Sequence, residues 1–481
     1  MKLRADPGLT FDDVLLIPKR SSIRSRKDVT TQTWLTPGLR LQIPIVAANM
    51  DTVTEMRMAM AMAQQGGIGI LHRFMSVEKQ AEAVRRVKRA ETMVVENPLQ
   101  ISPDATVSQA RQRMAEAEVG GLVVVDAEHH LLGVVTTRDV LLAEDGQILV
   151  HSVMTPRSRL VVAGSGETLD QARRKLYENR VEKLPLVDAD DRVVGLVTVQ
   201  DIVKIQEHPY ATKDSRGRLV VGVALGARLA EDLARGAACA EAGADVFVVD
   251  IAHGHSDHTL EMVRQLKKNF PTIPVIAGNV ATAEGVRDLA EAGADAVKVG
   301  IGAGSICITR VVTGFGVPQL TAISDCAEAG RTLGVPIIAD GGVRNSGDLV
   351  KALAAGASTV MVGSMLAGTD ESPGAPVVRD GRRYKVVRGM ASLTANVDRK
   401  TLDKGEVAEE DYADVVPEGI EAIVPYRGAV KDILYQLVGG LRSGLSYAGT
   451  HSIEELWELA EFIRITPAGQ QESGAHDVAR I

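Results

Sequence analysis

Cysteine is scarce in this chain. There are three in 481 residues, Cys239, Cys307 and Cys326; that is too few for a disulfide scaffold and suits a reducing compartment, so a cytoplasmic location is expected. Long apolar runs are missing too: no stretch reaches 18 apolar residues, and MKLRADPGLTFDDVLLIPKR at the N-terminus has no apolar core. Neither a membrane span nor a signal peptide is expected. There is no excess of positive charge, since 54 Lys and Arg stand against 62 Asp and Glu for a net charge of -8. A nucleic-acid or anionic-membrane surface is thereby disfavoured, while a local basic pocket for a phosphorylated small molecule is not. The signature of disorder is lacking as well, with 45% hydrophobic and 24% charged residues. The length suits one large domain with an insert.

What the chain does have is glycine, 46 of them, spaced between short apolar runs. IPIVAANM from Ile43 reads as a buried strand, TVTEMRMAMAMAQQGG as a helix closed by glycine, and IGILHR as a second strand. The rhythm stops near Glu96 and resumes at Leu219. The later strands are RLVVGVAL, DVFVVD, IPVIAGN, DAVKVGIG, VPIIADGG and STVMVGSML, with helical segments between them. Eight βα units predict a TIM (β/α)8 barrel with a domain inserted after the second unit.

The insert repeats itself. TVSQARQRM at Thr106 is echoed by TLDQARRKL at Thr168, GGLVVVD at Gly120 by EKLPLVD at Glu182, and GVVTTRD at Gly133 by GLVTVQD at Gly195, each pair offset by 62 residues. One fixed period predicts two copies of a β-α-β-β-α unit. Past the barrel, DRKTLDKGEVAEEDYADVVPEG is charged and has little periodicity, as a functional loop would. SIEELWELAEFI predicts a final helix, with weak order signals after Ile465.

The candidate chemistry gathers at predicted strand ends, the rim where TIM barrels place their active sites. In GIGAGSICITR, three glycines precede Cys307 and let the backbone approach a ligand, which marks Cys307 as a nucleophile or ligand contact. Cys239 and Cys326 fall within helical patterns and read as core residues. Gly341, Gly342, Gly363 and Ser364, in the last two units, offer N–H groups and a hydroxyl to a phosphate. Asp250 and Asp340 close strands and suit ribose hydroxyls. His253 and His255 lack a third ligand and are weak evidence for a metal. In the insert, Asp139 and Asp201 end matched T-x-x-D patterns and either hold a ribose or cap the following helix.

LTFDDVLLIP, NMDTVTE, VVDIAHGHS, AGNVAT, GSICITR, ADGG, VGSMLAGTDESPG and VPEGIE together resemble the family of IMP dehydrogenases and GMP reductases. The repeat resembles a Bateman module of two cystathionine-β-synthase (CBS) motifs. The resemblance implies a catalytic barrel in residues 1–92 and 207–481, a Bateman domain at 93–206 (motifs 93–150 and 151–206) and a mobile flap at about 393–420. It implies Cys307 as the nucleophile that adds to purine C2 and Thr309 as a participant in proton transfer, and Glu418 in PEG matches the catalytic glutamate or glutamine of the dehydrogenases' hinge region. Ser305, Asp340, Gly342, Gly363 and Ser364 match the ribose and phosphate contacts, Met50 and Met390 the base contacts, and Asp250 and Asn279 the nicotinamide side. In dehydrogenases the carbonyls of Gly302, Gly304 and Cys307 also hold potassium. The resemblance further implies ATP, GTP or GDP as regulatory ligands in the cleft between the repeats, with Asp139 and Asp201 as the candidate contacts, and tetramers that pair into octamers.

The chain departs from the dehydrogenase pattern at three places. The flap's Arg-Tyr pair, which supplies a general base, falls on Asp403 and Lys404; Asp398–Arg399–Lys400 matches only in part, and Tyr412 has no arginine before it. The C-terminal Glu-Ser-His of the cation site reads Glu472–Ser473–Gly474, and a phosphate-contact tyrosine is Val387. The reductases' glutamate after GMSS is absent from GMASLTAN, which leaves its role to Glu418. The balance falls to GMP reductase using NADPH. The alternatives are IMP dehydrogenase, using NAD and potassium with Arg399 as a relocated base, and a catalytically weak nucleotide-sensing paralogue.

Overall fold

The computed structural model describes residues 3–91, 94–117, 119–143, 145–164, 166–404 and 415–474. Eight parallel strands close into a barrel: β1 (Ile45–Ala47), β2 (Ile68–Leu71), β3 (Gly222–Leu225), β4 (Val246–Asp250), β5 (Val275–Val280), β6 (Ala296–Val299), β7 (Ile337–Asp340) and β8 (Thr359–Val362). All eight coincide with apolar runs of the sequence, because a parallel strand covered on both faces needs no polar alternation. Val246, Phe247, Val248 and Val249 of β4 are each fully buried. Burying a side chain such as Phe247 stabilises the fold by about 1.5–3 kcal/mol, and its ring meets Phe270 edge-on at 5.4 Å. Closure sets β8 against β1, pairing Val360 with Ile45 and Val362 with Ala47.

Beyond β8, an antiparallel sheet is formed by β9 (Pro376–Arg379), β10 (Arg382–Arg388) and β11 (Glu421–Pro425). Leu393–Lys404 is a helix, so the first part of the charged segment is ordered where a loop is expected from its weak periodicity. Ala395 and Val397 are buried there, which anchors it. Residues 405–414, including Tyr412, and the side chains of Asp403 and Lys404 lie outside the described residues.

The last predicted helix is shorter than its pattern. It runs Ile453–Leu459, with the Ser452 hydroxyl accepting from the Glu455 N–H at 3.2 Å. Phe462–Arg464 instead pairs antiparallel with Val14–Leu16. A further helix, Pro467–Glu472, follows where little order is expected.

The chain divides into two compact units: residues 1–90, 210–214 and 219–481 in one, and 91–209 with 215–218 in the other. The second unit holds Gln100–Ile101, Val107–Glu116, Gly121–Val125, Leu131–Thr136 and Thr137–Leu141. The same order returns in Ala163–Gly164, Leu169–Asn179, Lys183–Val187, Val193–Thr198 and Val199–Glu207. The repeat extends to details. Thr106 and Thr168 each cap a helix, accepting from Gln109 and Gln171 N–H at 3.3 Å. Each hairpin also has an irregularity at the matched place, Val124/Val125 and Leu186/Val187.

Candidate active site

The loop after β6 carries Cys307. It is shaped by Gly300 and Gly302, both at positive φ, where a side chain would be strained. A Cβ on Gly300 would lie 2.0 Å from the Asp340 carbonyl oxygen, so β6 and β7 can approach this closely only with glycine. Gln319, itself buried, donates to the carbonyls of Val299 at 3.0 Å and Asp340 at 3.1 Å and ties the two strand ends together. Past Cys307 the chain turns into the helix Thr309–Thr313.

Cys307, Thr309 and Glu418 form a hydrogen-bonded chain. The Cys307 Sγ lies 3.2 Å from the Thr309 Oγ1, and that hydroxyl donates to Glu418 Oε2 at 2.8 Å. Backbone pairing brings Glu418 across more than a hundred residues: the Ile308 N–H donates to the Glu418 carbonyl at 2.8 Å, and the Ile420 N–H to that of Ile306 at 3.0 Å. Cys307 is half-buried, whereas Cys239 and Cys326 are fully buried. Burial pushes the Cys239 thiol up to about 11 and that of Cys326 to about 12, so both stay protonated near neutral pH.

A second cluster centres on Lys298, 2% exposed in β6. Its ammonium group donates to Asp250 Oδ1 at 2.8 Å, to Asp340 Oδ2 at 2.7 Å and to Asn279 Oδ1. Asn279 in turn donates to the Gly300 carbonyl at 2.8 Å and Asp340 at 3.1 Å, and Asn49 donates to Asp250 at 2.8 Å. Burial opposes the charge on Lys298, but the two carboxylates outweigh it and raise its pKa above the ordinary lysine value. Burial likewise pushes Asp250 up, and the Lys298 charge and hydrogen bond bring it below the ordinary carboxylate value. Lys298 and Asp250 therefore both carry their charges throughout the neutral range.

The remaining candidates lie around the same rim. Met50 Sδ stands 3.0 Å from where a Cβ on Gly363 would lie, so glycine there makes room for Met50. Ser364 opens the helix Ser364–Ala367. Gly341 and Gly342 have positive φ, and a Cβ on Gly341 would meet the Gly304 nitrogen at 3.0 Å. Ser305 is exposed and Met390 half-buried. The Arg310 side chain packs on Gly302, its guanidinium donating to the carbonyls of Ile301 at 3.2 Å and Val317 at 2.7 Å. The Gly304 carbonyl accepts the Cys307 N–H at 3.1 Å. His255 pairs with Asp288 at 2.7 Å.

In the second unit, Asp139 accepts from the Thr136 N–H at 2.8 Å and hydroxyl at 2.7 Å, and Asp201 from the Thr198 hydroxyl at 2.6 Å. Both carboxylates cap their helices through one oxygen, Oδ2.

The chain matches the IMP dehydrogenase / GMP reductase domain over residues 8–476. The chain belongs to that family. Inosine-5'-monophosphate dehydrogenase from Nitrosopumilus maritimus is 53% identical over 98% of both chains. GMP reductase from Leishmania donovani is 50% identical, again over 98% of each. The solved structure of a cysteine-to-alanine variant of GMP reductase from Trypanosoma brucei, in complex with guanosine 5'-monophosphate, matches with a TM-score of 0.91 at 48% identity over 98% of both chains. The protein is thus an NAD(P)-dependent oxidoreductase of purine nucleotide metabolism. Among the described residues no helix is long and apolar enough to cross a membrane.

Within the partial flap match, Asp398 pairs with Arg388 at 2.7 Å. Val387 is fully buried in β10. Two residues of the site escape sequence reasoning. Lys298 stands in an apolar strand, DAVKVG, where a lone lysine is the only signal. Gln319 follows a proline at a helix start and gives none.

Proposed function

We propose that the protein is a GMP reductase, converting GMP and NADPH to IMP, ammonia and NADP. The observation that carries this is the carboxylate of Glu418 on the Thr309 hydroxyl beside Cys307. The Thr309 hydroxyl, donating to Glu418, has a lone pair with which to accept the Cys307 thiol proton. That proton passes to Glu418 as the sulfur adds to C2 of GMP. Returned through Thr309 to the exocyclic amine, it lets nitrogen leave as ammonia and the C2–S bond remain. One proton leaves the thiol and one reaches the amine, so the step balances without water.

The rim also suits a nicotinamide nucleotide. Asp250 is a carboxylate at a strand end, held in place by Lys298 and Asn49, with lone pairs left for a carboxamide or hydroxyl donor. The reduced nicotinamide supplies the hydride to C2 when bound. Cys307 then leaves as thiolate, and IMP is formed. Asp340, fixed by Lys298 and Asn279, suits the ribose; Ser305, Gly342, Gly363 and Ser364 suit the 5'-phosphate, and Met50 and Met390 the base. A dehydrogenase needs an activated water and a monovalent cation at this stage. The reductase steps need neither.

The internal repeat supports a Bateman reading of 93–206, with ATP, GTP or GDP as regulatory ligands. The Asp139 and Asp201 oxygens outside the caps suit ribose hydroxyls.

Ammonia and IMP formed in equal amounts from GMP and NADPH test the reductase. Cys307→Ala is expected to abolish both products while GMP still binds. If no ammonia appears and IMP with NAD yields XMP, the dehydrogenase reading replaces this one.

A further inference from the structure

Arg388 ends β10 and grips the barrel on one side. Its Nε donates to Asp51 Oδ2 at 2.8 Å, its Nη2 to the same oxygen, and its backbone N–H to the Thr52 hydroxyl at 3.2 Å. The Nη1 meets Asp398 at 2.7 Å and the Thr394 hydroxyl at 3.1 Å on the helix Leu393–Lys404. The Asp51 side chain is 8% exposed, that of Arg388 20% and that of Asp398 54%. The Asp51 contact is therefore the one shielded from solvent, and such a charge-assisted pair is both strong and directional.

The residues just after Arg388 carry the catalytic glutamate. The Gly389 N–H donates to the Ile420 carbonyl at 3.0 Å, and the Ala391 carbonyl accepts the Glu418 N–H at 3.0 Å. The backbones are in close contact here: a Cβ on Gly389 would stand 3.2 Å from the Gly419 Cα. Arg388 is also the register partner of Glu421. The segment 388–391 thus joins the loop after β1 at one end to the backbone of Glu418 at the other.

We propose that Arg388 is a positioning residue, which by anchoring segment 388–391 to Asp51 keeps the Glu418 carboxylate within hydrogen-bonding reach of Thr309. The proposal rests on the reading of Glu418 as the proton carrier. It does not depend on which nucleotide is turned over. Lysine keeps the charge but not the fork, so it restores the anchor only in part.

A double-mutant cycle of Arg388→Met with Glu418→Gln tests it. Arg388→Met is expected to lower kcat about ten- to a hundredfold, the scale of a small displacement of a catalytic group. Arg388→Lys recovers part of the loss. In the Glu418→Gln background the same Arg388→Met change is expected to cost less than about twofold, since a residue acting through another loses its effect when that other is gone. Equal losses in both backgrounds would overturn the proposal. Turnover is read with GMP and NADPH, or with IMP and NAD if that is the reaction. The cycle is read in parallel on the rate of Cys307 alkylation by iodoacetamide. That second readout needs no turnover, so additive effects on it sink the positioning role even where the reductase reading fails. Should Arg388→Met not fold, Asp51→Asn enters the same cycle from the other side of the pair, with the same two outcomes.

Discussion

Cys307 differs from the other two cysteines by its surroundings, and this is directly measurable. With Cys239 and Cys326 buried and their thiols pushed up to about 11 and about 12, brief iodoacetamide treatment of native protein near pH 8 is expected to label Cys307 alone. Peptide mass spectrometry reads the result, and labelling of either helix cysteine at a comparable rate contradicts it. Lys298 gives a pH-dependent prediction. Its raised pKa means that its contribution to stability is complete below about 10.4, the unperturbed value, and is lost only as pH rises through the raised value. The depressed pKa of Asp250 means a contribution complete above about 3.9, lost as pH falls through the depressed value. Lys298→Met leaves the half-buried carboxylates of Asp250 and Asp340 without their cation, at a cost below the about 3–5 kcal/mol of a fully buried pair at neutral pH. Burial then pushes Asp250 up with no cation to oppose it, and protonating it relieves part of that cost, so the difference in Tm from wild type should shrink between pH 7.5 and about pH 4.5. A constant difference would show that Lys298 acts by packing alone. The residues were unevenly legible. Cys307 stands out in the sequence because glycines crowd before it at a strand end, whereas Glu418 is legible only through family resemblance. Lys298 is not legible as a site residue because its partners lie 42 and 48 residues away and meet it only when the barrel's register is set.

At the scale of elements, the strands are legible because each is a short apolar run, as a covered parallel sheet requires, and most of them, β3, β4, β6, β7 and β8, end at or just before a glycine or aspartate. What local pattern cannot show is pairing between distant segments. Phe462–Arg464 continues a helical pattern in sequence yet pairs with Val14–Leu16. The helix Leu393–Lys404 is held by buried Ala395 and Val397, too few apolar positions to declare a period. The loop after β6 offers a test of backbone geometry. Gly300→Ala places a methyl group 2.0 Å from the Asp340 carbonyl oxygen at a φ of +150°. It is expected to lower stability by about 1–3 kcal/mol and to reduce turnover sharply by spreading β6 from β7. A thermal melt and an initial rate decide this; unchanged values for both would mean that the two strand ends tolerate separation.

At the scale of the whole molecule, two compact units in one chain invite separate roles for chemistry and control. Replacing residues 93–206 with a short linker is expected to leave turnover within about threefold, since that unit carries none of the residues assigned to the reaction, and to abolish any response to ATP, GTP or GDP. An undiminished nucleotide response in the shortened protein would place the regulatory site in the barrel. The central claim concerns direction, and relatives of both kinds stand near 50% identity, so overall similarity cannot decide it. The Cys307–Thr309–Glu418 chain can move one proton from the thiol to a leaving amine, which is what reduction of GMP requires. The most direct test is the absorbance at about 340 nm, where reduced nicotinamide absorbs, of purified protein given GMP with NADPH, or IMP with NAD and potassium. The account predicts a falling signal with the first pair and none with the second. A rising signal with IMP and NAD, and no change with GMP, would contradict it.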